Sequence, residues 1–162
     1  MSNRYEIRIC GDGGQGIITL GILLAKIFSR AGKNVCQTQN YSNQVRGGIC
    51  VSDVIFSDDV INYPQIVKPN LIVVLSQQAY DKYCKEVYEN IIVDSSKVKY
   101  HSCDNCIQRP FSKIAFGKEL YANIIVSGFI CKQFNLISID DINNSDMLIT
   151  NNKKAFNIGY GL

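Results

Sequence analysis

The chain has 162 residues, is 46% hydrophobic and carries a formal net charge of +3. That length fits a single domain, residues 1–162, with enough apolar residues for a core. The lysines are scattered, which excludes the concentrated basic face of a nucleic-acid binder. The longest apolar runs, 17–24 and 124–131, fall short of the ~20 residues a membrane span needs. No signal peptide is read ahead of the first strand, so the expected compartment is the cytoplasm.

The first unit is the clearest. Tyr5-Glu6-Ile7-Arg8-Ile9-Cys10 alternates apolar and polar residues, the period of a half-buried strand. Leu20, Leu23, Leu24, Ile27 and Phe28 then recur at helical spacing, with Thr19, Lys26 and Arg30 opposite. Between them lies Gly11-Asp12-Gly13-Gly14-Gln15-Gly16. A strand, a glycine turn and a helix form a Rossmann-like opening, and the helix amino terminus suits an anion. Gly11, Gly13 and Gly16 fit G-x-G-x-x-G, but that fingerprint wants an acid closing the second strand. The second strand, 34–38, has none. A phosphate-binding P-loop needs Lys-Ser/Thr after its last glycine, where this chain has Ile17-Ile18. A ligand-free turn and an anion site fit this pattern equally well.

Gly32 stops the first helix. The polar stretch 39–48 is long for a turn, and such loops carry function. Arg46 precedes Gly47 and Gly48 and can reach an anionic or planar partner; a solvated loop arginine is the plain alternative. Residues 49–56 alternate, turn at Ser57-Asp58-Asp59 and return through Val60-Ile61. This hairpin predicts a sheet that is not purely parallel. The continuous run 71–75 reads as a central strand covered on both faces. Ser76 caps a helix over 77–87. Residues 91–94 form a buried strand and 98–102 a short edge strand. Helical turns follow at 110–116, then an apolar helix at 120–134, expected to pack on the sheet and on a further surface. Part of that helix and the glycine loops are expected to form an apolar face for a partner. Gly128 inside the helix predicts close packing. Ser138 and Asp141 form a capping box, and a last helix covers 151–156. The fold class is α/β: a three-layer α/β/α domain with a mixed, mostly parallel sheet.

Reactive groups are sparse. Seven cysteines at irregular spacing read as reduced thiols. Cys103 and Cys106 form one C-x-x-C pair behind His101, whereas a structural metal or an iron–sulfur cluster needs four ligands. One histidine and no G-x-S-x-G argue against a hydrolase triad. No catalytic residue and no metal ligand is assigned.

Four segments together carry a family resemblance. Gly11–Gly16 with Gln15 resembles the G-x-G-G-Q-G opening of the gamma subunit of 2-oxoacid:ferredoxin oxidoreductases. Asn40-Tyr41-Ser42-Asn43-Gln44-Val45-Arg46-Gly47-Gly48 is similar to its S-Y-G-x-x-x-R-G-G loop, with Ser42 in place of a glycine. Ala122-Asn123 and the closing segment Asn152 to Tyr160, N-x-x-A-F-x-x-G-Y, match as well. The resemblance spans nearly the whole chain, and 138–152 is shorter than usual, which implies a truncated helix. Gln37-Thr38-Gln39, Ile61-Asn62-Tyr63-Pro64 and the segment from Leu75 to Tyr83 look most like the 2-oxoglutarate branch.

The resemblance implies a chain that is inactive alone and binds no cofactor by itself. Thiamine diphosphate and iron–sulfur clusters belong to partner subunits, alpha and beta with a ferredoxin-like delta, and ferredoxin is the electron acceptor. Coenzyme A is the ligand this chain is expected to contact, through Gly11, Gly13, Gly14, Gln15, Gly16, Tyr41, Arg46, Gly47 and Gly48. Two alternatives stay open: the same role in a pyruvate, branched-chain or indolepyruvate enzyme, and a stand-alone dinucleotide-binding module of a dehydrogenase.

Overall fold

Strand β1 (Tyr5–Asp12) lies inside a six-stranded sheet of order β2-β3-β1-β4-β5-β6. The computed structural model describes residues 4–41, 48–84, 90–99, 105–135 and 137–162, with only the backbone at residue 41. The other strands are β2 (Asn34–Tyr41), β3 (Ile49–Ser57), β4 (Leu71–Val74), β5 (Asn90–Asp94) and β6 (Cys106–Arg109). β1, β4, β5 and β6 pair in parallel, while β3 runs antiparallel between β1 and β2. The sheet is therefore mixed and mostly parallel. The antiparallel hairpin is β2–β3, though, and 60–61 is not a strand. Ser57-Asp58-Asp59 looked like a hairpin turn, but Val60 beyond it is exposed. β2 also outruns its predicted end at 38, because Gln39, Asn40 and Tyr41 keep register with Ser52, Val51 and Cys50. Backbone pairing is indifferent to their polar side chains.

The predicted edge strand is displaced as well. Val98 is buried against the β4–β5 face and belongs to no strand; β6 takes the edge. Of the predicted 98–102, residues 100–102 lie outside the described residues.

Helix α1 (Ile17–Arg30) closes with Gly32 at φ 81°, where the Lys33 amide returns to the Phe28 carbonyl. It covers one face of the sheet together with α3 (Phe111–Phe116) and α4 (Ala122–Phe134). Helix α6 (Thr150–Tyr160) packs against α4, and the five-residue α5 (Ile139–Asn143) packs on α6. Ser138 caps α5 by accepting the Asp141 amide at 3.1 Å. On the opposite face α2 (Gln77–Tyr83) follows its Ser76 cap, whose hydroxyl accepts the Ala79 amide. Residues 85–87 of the predicted helix lie outside the described residues.

Residues Asn123 to Cys131 of α4 are all buried, which explains the absence of a polar stripe. The further surface that covers residues 123–131 is this chain's own α6 and α3, where the sequence had suggested a partner. Gly128 makes the α4–α6 crossing possible: a Cβ there would strike the Phe156 carbonyl, and one on Gly159 would strike the Ile125 carbonyl. That contact also explains why α6 runs through Gly159 rather than ending near 156.

Candidate functional site

The sheet changes direction of winding at β1, which has antiparallel β3 on one side and parallel β4 on the other. In open α/β sheets the carboxyl ends of strands at such a point form a crevice. Here the β1–α1 turn occupies it. Gly13 and Gly14 are exposed, while Gln15 and Gly16 are half-buried. Gly16 is left-handed at φ 72° and starts α1, and the Leu20 amide makes the first helical bond to its carbonyl at 2.9 Å. The amides of Ile17, Ile18 and Thr19 precede that bond and lie at the positive end of the helix dipole.

Two side chains hold the turn. The Gln15 carboxamide oxygen accepts the Asp12 amide at 2.7 Å, and its nitrogen donates to the Leu75 carbonyl at 2.8 Å. Asn123 at the start of α4 donates to the Gly16 carbonyl at 3.2 Å and accepts the Ile124 amide at 3.0 Å. A Cβ on Gly11 would collide with the Gln15 amide, and one on Gly16 with Asn123.

Beside the turn runs a groove of about 540 Å³ lined by Gly14, Gln15, Leu75, Ser96, Lys97, Ser112, Lys113, Ala115, Phe116, Leu120, Tyr121, Ala122 and Asn123. Among the described residues its lining holds two lysines and no carboxylate. Phe116 and Tyr121 are 90% and 69% exposed, so aromatic faces stand at the mouth. Asp94, fully buried below, accepts the amides of Ser96 and Ser112 at 3.0 and 2.9 Å and both serine hydroxyls. Four donors offset the burial of that carboxylate. They also tie the end of β5 to the start of α3, which brings Lys97 and Lys113 to the same groove. The two hydroxyls give their protons to Asp94, so the groove's strong donors are the ammonium groups.

The opposite face carries a second polar cluster. Arg8 donates to both oxygens of Asp53 at 2.9 and 2.8 Å, and its guanidinium lies 5.7 Å from the Tyr83 ring centre. The hydrogen bonds to Asp53 raise the Arg8 pKa further, against the opposing effect of burial. This pair is a cross-strand tie between facing residues of β1 and β3.

The predicted site residues divide. Gly11, Gly13, Gly14, Gln15 and Gly16 come together in the turn. Gly48 joins them, its carbonyl accepting the Gly13 amide at 3.3 Å. Arg46 and Gly47 lie outside the described residues, as does the side chain of Tyr41. His101 and Cys103 lie outside them too; among the described residues no three His, Cys, Asp or Glu side chains gather as a metal site. Sequence reading missed Asp94, Lys97, Ser112 and Lys113 altogether. The available signal was a carboxylate, Asp94, closing the buried strand 91–93.

Residues 6–162 match the family described as pyruvate ferredoxin/flavodoxin oxidoreductase. The chain belongs to that family. Among its relatives, a 2-oxoglutarate synthase subunit KorC from Methanocaldococcus jannaschii is 38% identical over 145 residues, covering 83% of this chain and 78% of the relative. The subunit of the same name from Archaeoglobus fulgidus is 36% identical over 168 residues, covering 99% and 88%. The keto/oxoacid ferredoxin oxidoreductase gamma subunit from Geobacter sulfurreducens has 28% identity. It superposes with a TM-score of 0.77 over 98% of this chain and 95% of that one. Family membership removes the stand-alone dehydrogenase module as a reading. In this oxidoreductase family member no acid closes β2 and no P-loop lysine follows Gly16.

Proposed function

We propose that this chain is the gamma subunit of a 2-oxoglutarate:ferredoxin oxidoreductase. The complex oxidatively decarboxylates 2-oxoglutarate to succinyl-coenzyme A and reduces ferredoxin. The observation that carries this reading is the set of 2-oxoglutarate synthase subunits at 31–38% identity. Thiamine diphosphate and the iron–sulfur clusters belong to alpha, beta and delta partners in this reading. The assembly is cytoplasmic; among the described residues no helix is long and apolar enough to cross a membrane.

The chain's own contribution is to receive coenzyme A. Coenzyme A is polyanionic with an aromatic head. The groove supplies Lys97 and Lys113 without an opposing carboxylate in its lining, and exposed aromatic rings at its mouth. Its volume lies within the ~300–1,000 Å³ of small-molecule sites. Beside it, the α1 amino terminus and the exposed Gly13-Gly14 backbone suit a phosphate. Arg46, which lies outside the described residues, is assigned the same role from its place in the sequence ahead of Gly47-Gly48, as a charge-assisted donor.

In the assembled complex, the double replacement Lys97→Ala, Lys113→Ala is expected to raise the KM for coenzyme A about tenfold, with kcat and the KM for 2-oxoglutarate kept. Arg46→Ala is expected to do the same with assembly intact. Unchanged coenzyme A kinetics in both proteins would remove coenzyme A from this surface. Weakened assembly with normal kinetics for Arg46→Ala would make that residue an interface contact instead.

A further inference from the structure

The G-x-G-G-Q-G motif contains two parts with different jobs. In one part, Gly11 and Gly16 are spaces for other side chains: the first admits the Gln15 amide and the second admits Asn123. In the other part, Gly13 and Gly14 are exposed, and nothing lies within 4 Å of where a Gly14 Cβ would stand. Only the second part presents backbone outward.

The orientation of both amides is fixed by their partners. Gln15 faces one donor, the Asp12 amide, and one acceptor, the Leu75 carbonyl, 60 residues away in sequence. Asn123 likewise faces the Gly16 carbonyl and the Ile124 amide, and it is 9% exposed. Each carboxamide spends its oxygen on one backbone group and its nitrogen on another, a complementarity that neither Ala nor a carboxylate reproduces. Gln15 ties the turn to the end of β4, and Asn123 ties it to the start of α4. The Asp12-to-Gly16 backbone is thus held from both sides, and its first turn of α1 is held with it.

We infer that Gln15 and Asn123 are positioning residues: they fix the turn so that the exposed Gly13-Gly14 edge and the α1 amides stand in one arrangement at the sheet's crevice. Gln15 acts on a ligand through the backbone it orders. Preorganised donors bind without the cost of ordering the loop, so the clamp governs affinity rather than the chemical step. Its consequence for coenzyme A rests on the function proposed above.

Two near-isosteric variants test the clamp, Gln15→Glu and Asn123→Asp. Each keeps the accepting oxygen and removes one donated bond. Both are assembled into the full complex, and thermal unfolding confirms the fold. Amide hydrogen exchange is then followed over residues 11–19, alongside steady-state kinetics. Exchange across the turn is expected to quicken about three- to tenfold, the equivalent of one hydrogen bond, with unchanged exchange in α6. The KM for coenzyme A is expected to rise several-fold while kcat stays within twofold. Unchanged exchange at the turn in both variants overturns the clamp. Faster exchange with an unchanged KM upholds the clamp and overturns the turn's part in coenzyme A binding. Should Gln15→Glu fail to assemble, Asn123→Asp decides alone, because it loosens the same turn from the other side.

Discussion

The α4–α6 crossing and the β1–α1 turn both depend on glycine, and they use it for opposite ends. At the crossing, Gly128 and Gly159 let two helix backbones meet, each against a carbonyl of the other helix. The residues around that contact, Ile125, Phe129 and Phe156, are buried. At the turn, Gly11 and Gly16 let two carboxamides reach backbone groups, and the neighbouring Gly13 and Gly14 stay open. The first arrangement holds the fold together. The second holds a short piece of backbone at the surface, where its donors remain usable. Glycine content alone therefore does not mark a binding loop; what lies in the space of the missing Cβ does.

The crossing is most vulnerable at Gly128. A methyl group there meets a helix carbonyl that cannot rotate away, so Gly128→Ala should destabilise the chain by about 3 kcal/mol, the upper end for overpacking. Thermal unfolding of the purified chain measures it. A loss within about 0.5 kcal/mol would show that the two helices separate easily and that the crossing is no core.

Cys131 sharpens the same contrast at smaller cost. It lies on α4 with no exposure, and burial pushes its thiol pKa up to about 12. The unfolded thiol ionises at about 8.5, so the neutral buried thiol contributes stability fully below that pH and loses it as pH rises towards the folded value. Cys10 is shifted in the same direction, also by burial. In the folded chain near pH 8, alkylation should spare Cys131 and Cys10 and modify the half-buried Cys36 and Cys50. Mass spectrometry of the alkylated peptides gives the order. Early modification of Cys131 would place α4 at the surface.

Much of this architecture is legible in the chain. The β1–α1 unit, the central strand at Leu71–Val74, the Ser76 cap and the close packing at Gly128 follow from period, cap chemistry and one glycine in an apolar helix. The errors have physical causes. Val60-Ile61 and Val98 were read as strand residues because short apolar runs carry no partner information; the backbone of β2 chose β3, and Val98 fills the second core. The end of α6 was hidden because Gly159 is a stop signal locally and a packing contact globally. The candidate site was half legible. The turn announces itself through its glycines. Asp94, Lys97, Ser112 and Lys113 lie 15 or more residues apart in part, and only the parallel pairing of β5 with β6 brings them together. Asn123 was visible only as part of a resemblance, and its bond to Gly16 spans 107 residues.

A gamma subunit of a 2-oxoglutarate:ferredoxin oxidoreductase should be required for the activity of its complex. Reconstitution tests it most directly. The partner subunits are purified with and without this chain, and coenzyme A-dependent reduction of ferredoxin is followed with 2-oxoglutarate and with pyruvate. The chain should co-purify with the partners, and activity with 2-oxoglutarate should disappear when it is omitted and recover when it is added back. Full activity without the chain, or activity restored with pyruvate and not with 2-oxoglutarate, would contradict it.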